Sequence, residues 1–324
     1  MVDFPRPAAS DRGVSQLWGQ PLIVEPTAAQ HTATLILLHG FSSTPHALHD
    51  RWLPGLRERL SDGFSYDSLE GVRFVLPPAP VREISCYGTA DRPRYPAWHD
   101  YRTADRAASG AEEELDLATL EETREQLHEL LDVEIAALGG DASRVVLGGH
   151  SQGGCVALDA AITYHKTLGG VLVSRGHLYS ATPLALEPCR CELRILHWHG
   201  TCDGSIAPSL ASAGWATLLQ RGFRKLHAVL DPNTTTGAHS ALPSPACSRH
   251  VSLLRWLSRD ASPHLLLAGH AELPCAPAEL DEFASALRKW GLIPAEGVEA
   301  ADFFTRDVNT RPLGQLSRRA GGPV

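Results

Sequence analysis

Six short runs along the chain read as strands, most of them apolar at consecutive positions instead of at every second one: "TLILLHG" (34–40), "VRFVLPPAP" (72–80), "SRVVLGGHS" (143–151), "GGVLVSRG" (169–176), "LRILHWHG" (193–200) and "KLHAVLD" (225–231). A strand with one wet face alternates. Continuous runs of this length suit strands buried on both faces of a parallel sheet. The stretch from Leu115 to Leu138 has a different period. Leu117, Leu120, Leu127, Leu130, Leu131 and Leu138 recur near helical spacing among acidic residues, and Gly139 and Gly140 stop the pattern. Its acidic lead-in, "EEELD" (112–116), complements the positive end of a helix. Strand, helix, strand, helix predicts a mostly parallel, doubly wound α/β sheet with helices on both faces and function at the carboxyl ends of the strands.

Two stretches depart from that rhythm. Residues 81–111 form a long connection rich in Arg, Tyr and Pro, of a length expected of a segment that covers a site. After "SLLRWL" (252–257) the strand pattern stops, and "PAELDEFASALRKWG" (277–291) reads as one amphipathic helix. Leu280, Phe283, Ala284 and Leu287 share a face there, with Pro277 near the start and Gly291 past the end. Beyond Arg311 little can be buried, and a mobile tail is expected. The organisation predicted is an N-terminal extension (1–32), an α/β domain (33–260), and a C-terminal helical appendage with a mobile tail (261–324). No internal repeat points to a solenoid or propeller.

Composition narrows the function classes. The 324 residues carry a formal charge of −8, which argues against a nucleic-acid partner. No apolar run is long enough to span a bilayer, so no stable membrane insertion is expected. The start, "MVDFPRPAASDRG", lacks an apolar signal core; Val2 excludes glycine myristoylation, and "AGGPV" is not a prenylation motif. Seven scattered cysteines suit a reducing compartment. The expectation is a soluble cytoplasmic protein.

The chemistry centres on "GHSQG" (149–153). A serine between glycines, at the end of an apolar strand and the start of a helix, is the G-x-S-x-G pattern. The turn is so tight that side chains on its flanks would clash, and it lifts the serine hydroxyl into the site. Ser151 is the candidate nucleophile. The backbone N–H of Gln152, at the helix N-terminus, points where an oxyanion would develop. A serine nucleophile needs a base and a residue to orient it, in this fold in the order Ser, Asp, His. "HGTCDGS" supplies Asp203 just after a strand ending in Gly200, and "TTTGAHSAL" supplies His239 on a glycine-containing loop after the next strand. Of sixteen histidines, only His239 combines order and loop placement, with His227 its nearest rival. His150 is held on the serine turn, His197 and His199 share a strand face, and His250 lies in a terminal helix. The strand "LLHG" ends so that the N–H of Phe41 can be a second oxyanion donor, with His39 a packed, hydrogen-bonded residue. Metal ligation gains no support. His46 with His49, His197 with His199, and Cys189 with Cys191 make no four-ligand set. Cys155 and Cys202 read as small core residues.

These residues carry a family resemblance. "LILLHGFSST", "FVLPPAPVR", "PAWHDY", "SRVVLGGHSQGGCVAL", "LGGVLVSRGHL", "HGTCDGSIAP" and "GAHSAL" occur in the order and similar spacing of the phospholipase/carboxylesterase family of α/β-hydrolases, which includes acyl-protein thioesterases. The resemblance covers about residues 33–257. It implies the α/β-hydrolase fold, a Ser151–Asp203–His239 triad, an oxyanion hole from Phe41 and Gln152, no cofactor, and hydrolysis of acyl thioesters or carboxylic esters. Trp98 matches the family tryptophan in P-x-W-x-D, near the site. Where the family continues His-Gly with a glycine and an aspartate, this chain has Phe41-Ser42-Ser43-Thr44-Pro45, and "DPNTTTGAHS" lengthens the approach to His239. Position 2 lacks the cysteine that a palmitate anchor needs.

The expected activity is acyl-protein thioesterase-like, on an acyl thioester or ester that includes S-acylated protein. The alternatives are a small-ester carboxylesterase of specialised metabolism and a non-catalytic binding module on the same fold. Acyl contacts are expected from the 81–111 connection, with Tyr87, Tyr95, Trp98 and Tyr101, and from "RGHLYSATPLAL" (175–186), with Leu178, Tyr179 and Leu184. Buried methylenes contribute about 0.8 kcal/mol each, so medium or long chains are expected over acetyl. Arg82, Arg92, Arg94 and Arg102 are candidates for drawing in acidic leaving groups.

Overall fold

The computed structural model describes residues 19–61, 71–87, 94–184, 191–201, 203–231 and 277–291. Its centre is a seven-stranded sheet built from β1 (Leu22–Val24), β2 (Ala33–Leu38), β3 (Val72–Leu76), β6 (Val145–His150), β7 (Gly170–Ser174), β8 (Ile195–Gly200) and β9 (Leu226–Asp231), in the order β1-β3-β2-β6-β7-β8-β9. β1 runs antiparallel to β3, and every other neighbouring pair is parallel. Each of the six apolar runs contains one of the parallel strands. A separate antiparallel hairpin, β4 (Val81–Glu83) with β5 (Arg94–Pro96), lies inside the long 81–111 connection.

Both faces of the central strands are covered, which explains why β2, β6 and β7 are buried along nearly their whole length. Along β2, Ile36 and Leu38 join the core beneath α2 (Leu117–Ala137), α3 (Gln152–Thr163) and α4 (Pro208–Gln220). Leu35 and Leu37 join the opposite core, with Leu48, Trp52 and Leu53 of α1 (Pro45–Ser61) and Phe283, Ala284 and Leu287 of α5 (Pro277–Lys289). Successive residues of a strand point to opposite faces, and here each face meets helices. Among the described residues, no helix is long and apolar enough to cross a membrane.

Two boundaries differ from those read in the sequence. β1 lies within the expected N-terminal extension, yet it forms one edge of the sheet. α5 lies within the expected appendage, yet Phe283 is fully buried, its ring 5.2 Å from Trp52. Trp290 packs so closely over Gly170 that a Cβ there would collide with the indole, and the Trp290 carbonyl accepts a 3.0 Å bond from Arg194. The apolar face of α5 thus completes a layer of the α/β domain itself. The tail beyond Arg311, the "SLLRWL" segment and the side chain of Leu280 fall outside the described residues.

Candidate active site

The chain runs from β2 to β3 on one side of β2, then crosses to β6 on the other. That reversal makes the carboxyl ends of β2 and β6 the topological switch point, the place where open α/β sheets bind ligands. Two loops meet there.

The first joins β6 to α3. Ser151 sits at the N-cap of α3 with φ 54° and ψ −123°, a backbone that L-residues avoid. Its N–H donates to the Ser174 carbonyl (2.8 Å), and its carbonyl accepts from the Cys155 N–H (3.0 Å). The glycines around it are required by contact. A Cβ at Gly149 would run into the Gly153 carbonyl, and one at Gly153 into the carbonyl oxygens of Leu38 and His39. Helix α3 therefore lies against strands β2 and β6 at backbone distance. Its first N–H groups, Gln152's among them, have no intrahelical acceptor.

The second loop leaves β2 through His39, Gly40 and Phe41. A methyl at Gly40 would lie 3.5 Å from Ser151 Cβ, so this loop passes directly beside the serine. His39 is a packed residue, as its sequence context implied. Its Nδ1 donates to the Gly40 carbonyl (2.8 Å) and its Nε2 accepts from Ala79 N–H (3.0 Å). Burial lowers its pKa to about 4, so the ring is neutral and holds the turn. Ser42 has φ 55°, and its N–H donates to the Pro96 carbonyl of β5 (2.8 Å). The Phe41 ring lies among Tyr87, Tyr95 and Tyr101, at centroid distances of 6.1, 5.5 and 6.0 Å, in the range of favourable aromatic packing. The 81–111 connection thus does lie against the site, with its tyrosines around Phe41.

A third segment locks the two loops together. Trp98 N–H donates to the Gln152 side-chain oxygen (3.0 Å), and the Gln152 amide nitrogen donates to the His99 carbonyl (3.1 Å). The Trp98 indole N–H donates to the His39 carbonyl (2.7 Å), and Thr123 donates to the Trp98 carbonyl. Trp98 is 0 % exposed. These hydrogen bonds tie it to the two loops, at Gln152 and His39, and to α2 at Thr123. His99, also fully buried, is 2.6 Å from the Tyr179 hydroxyl, and burial lowers its pKa to about 3. The Gln152 side chain and His99 escaped the sequence reading, because their role depends on which distant segment they meet.

Asp203 lies just beyond β8. Its Oδ1 accepts from the N–H groups of Ser205 (2.9 Å) and Ile206 (3.0 Å), which anchors that oxygen at the same edge of the sheet. β9 ends beside it, with Asp231 in register with Gly200. His227 stands near the amino end of β9, opposite Leu196, with Nε2 3.5 Å from Glu282 of α5. That is the wrong end of the sheet for a base near Ser151. His239 follows β9 from its carboxyl end and falls outside the described residues, as does Cys202.

The remaining candidates are placed as follows. His150 Nδ1 is 2.9 Å from Ser174 Oγ. Cys155 is buried in the core, and burial pushes its thiol up to about 12. Leu178 lines a cavity of about 580 Å³ with Leu184, Leu210 and Gly214, and neither Ser151 nor Phe41 is in its described lining. Arg82 donates to the Ala97 carbonyl (2.9 Å), Arg94 to the Val81 carbonyl (2.8 Å), and Arg102 pairs with Asp116 (2.6 Å). Each of these three thus has an internal partner, and Arg92 falls outside the described residues.

The model of one family, described as phospholipase/carboxylesterase, matches residues 20–229. An acyl-protein thioesterase 1 of Neurospora crassa is 30% identical over 215 residues, covering 65% of this chain and 82% of the relative. A probable carboxylesterase of Oryza sativa subsp. japonica is 33% identical over 170 residues, covering 52% of this chain and 69% of the relative. The crystal structure of Arabidopsis thaliana SOBER1 shares the fold, with a TM-score of 0.58 at 19% identity over 80% of this chain and 99% of that one. The chain belongs to the phospholipase/carboxylesterase family, and with it to the α/β-hydrolases that cleave esters and thioesters.

Proposed function

We propose that the protein hydrolyses acyl thioesters or carboxylic esters through a Ser151–His239–Asp203 triad, in the manner of an acyl-protein thioesterase. The observation that carries this reading is the backbone at Ser151. A non-glycine residue at φ 54°, packed between glycines that admit no Cβ, costs folding free energy that a plain strand-to-helix turn would not. Strain of this kind clusters at functional positions, and here the turn places a hydroxyl-bearing residue at the positive end of α3. Asp203 and the carboxyl end of β9 stand on the same edge, which favours His239 over His227 as the base.

In this reading Ser151 Oγ attacks the acyl carbonyl while His239 accepts its proton. The carbonyl oxygen becomes an oxyanion, held by the N–H groups of Phe41 and Gln152. His239 then returns the proton to the departing thiolate or alkoxide, leaving an acyl-enzyme. Water, deprotonated by the same histidine, releases the carboxylic acid and restores the serine. Asp203 orients the imidazole and stabilises its charged form. Trp98, Gln152 and His99 hold the donors in place. The apolar segments on either side, Phe41 with its tyrosines and Leu178 with Leu184, are the proposed contacts for an acyl chain. The chemistry calls for no cofactor. Measuring kcat/KM on p-nitrophenyl esters and acyl thioesters from two to sixteen carbons tests the substrate class. A maximum at medium or long chains supports the thioesterase-like reading; a maximum at acetate supports a small-ester carboxylesterase.

A further inference from the structure

β8 carries two histidines whose rings point to the same side of the sheet, 6.3 Å apart. Both are fully buried, and burial lowers both pKa values, that of His197 to about 3. Neutral imidazoles in the core are costly unless their nitrogens find partners. Each has one such partner, and in each case it is a backbone carbonyl of a loop at the carboxyl edge. His197 Nε2 donates to Gly176 (2.9 Å), and His199 Nε2 donates to Ile206 (2.9 Å).

The second of these bonds leads to the proposed acid. The N–H of Ile206 donates to Asp203 Oδ1, beside that of Ser205. Ile206 therefore links both side chains through its two flanking peptide groups: its carbonyl is tied to His199 and its N–H to Asp203. The turn is closed from within by the carboxylate and held from beneath by the imidazole. The next residue is tied as well, since Ala207 N–H donates to the Ala107 carbonyl (2.9 Å). His199 Nδ1 is buried with no hydrogen-bond partner among the described residues. An orphaned acceptor of this kind costs stability, and a leucine of similar volume would avoid it. Packing alone does not account for a histidine here.

We propose that His199 is a positioning residue for Asp203, acting through Ile206 to set the carboxylate where the catalytic base needs it. This rests on the reading of Asp203 as the triad acid. The ionisable groups that face His199 are Asp203 itself, Arg175 and His177, with His197 alongside. Arg175 is buried beneath the same edge, its guanidinium 5.2 Å from the centre of the Trp198 ring.

The test compares His199→Leu with His199→Gln in the full chain. Gln can place an amide N–H where Nε2–H stood, whereas Leu cannot. Expected for His199→Leu is a fall in kcat of roughly ten- to a hundredfold with KM within about twofold, because a displaced acid misaligns the base. The acidic limb of the kcat/KM profile is expected to move to lower pH, since a displaced carboxylate stabilises the imidazolium less. His199→Gln is expected to restore most of the rate and the limb. The losses in His199→Leu and Asp203→Asn are expected to be less than multiplicative in the double variant. Equal losses in Leu and Gln with an unmoved limb, or fully multiplicative losses, would overturn the proposal. If His199→Leu does not fold, His199→Asn, which is too short to reach the Ile206 carbonyl, takes its place in the same comparison. An Asp203→Asn variant at full rate would instead reject the triad reading itself.

Discussion

The turn at Ser151 and the loop at Phe41 meet over one spot and share an unusual backbone, yet they are held by different means. Ser151 has φ 54° and Ser42 has φ 55°. At the first, strain is contained by backbone packed on backbone. Gly149, Gly153 and Gly154 leave no room for a side chain, so the turn that carries Ser151 is set by close backbone contact on both flanks. At the second, Gly40 would accept a methyl at ordinary van der Waals distances. That loop is held instead by polar bonds and rings: Trp98 to the His39 carbonyl, Ser42 to Pro96, and Phe41 among tyrosines. The elbow is rigid by sterics. The neighbouring loop is rigid by a network that substitutions can loosen one bond at a time.

The contrast yields predictions in descending order of effect. Ser151→Ala is expected to cut kcat by roughly 10⁴-fold or more without moving the melting temperature, as checked by ester turnover and calorimetry. Gly153→Ala is expected to destabilise by at least about 3 kcal/mol, since backbone carbonyls cannot retreat. That is a drop in Tm of roughly 6 °C or more in a domain of this size. Gly40→Ala is expected to keep Tm within about 2 °C while lowering kcat, because its methyl abuts Ser151 Cβ. A Gly153→Ala protein as stable as wild type would remove the distinction between the two loops.

Trp98→Phe sits between these extremes. It leaves the His39 carbonyl buried without its donor, at a cost of about 1–3 kcal/mol. A fall in kcat with little change in KM is expected, because the loop that shifts belongs to the proposed oxyanion hole. A rise in KM alone would favour direct substrate contact by Trp98.

Two effects of pH separate in the same way. His39, His99 and His197 are held neutral by burial, at about 4, 3 and 3, against about 6.5 in an unfolded chain. The unfolded state therefore binds more protons below that value. Their contribution is fully present above about pH 6.5 and is lost as pH falls toward 3. Tm is expected to be flat from pH 7 to 8 and to drop progressively below 6.5. kcat/KM is expected to fall through a single limb within a unit or so of ~6.5, from the proposed base, and to recover fully on return to pH 7.5. The smallest effect expected is at Leu178. Leu178→Trp, in the lining of the cavity with Leu184, is expected to shorten the preferred acyl chain by a few carbons at ~0.8 kcal/mol per methylene.

How much was legible in the sequence follows the same division. The parallel strands were readable because burial on two faces leaves continuous apolar runs. The Ser151 elbow was readable because steric exclusion writes itself as glycine at fixed spacing. α1 left no clear pattern: Pro54 lies inside it, and its apolar residues, Leu48, Trp52 and Leu53, are few among basic ones. β1, β4 and β5 are too short for any period to register. The network around Trp98 was not readable, since a glutamine at 152 gives no sign that it meets residues 98 and 99. His239 was preferred to His227 on motif order and loop placement; strand register adds that His227 stands at the amino end of β9.

The central claim is that the strained turn presents Ser151 as an activated nucleophile. Reaction with a fluorophosphonate probe, followed by mass-spectrometric mapping of the adduct, tests it most directly. The account predicts one adduct on Ser151 in the wild-type chain. It also predicts none in Ser151→Ala and labelling slowed by orders of magnitude in His239→Ala, with His227→Ala labelled at the wild-type rate. An adduct on another serine, or undiminished labelling in His239→Ala, would contradict it.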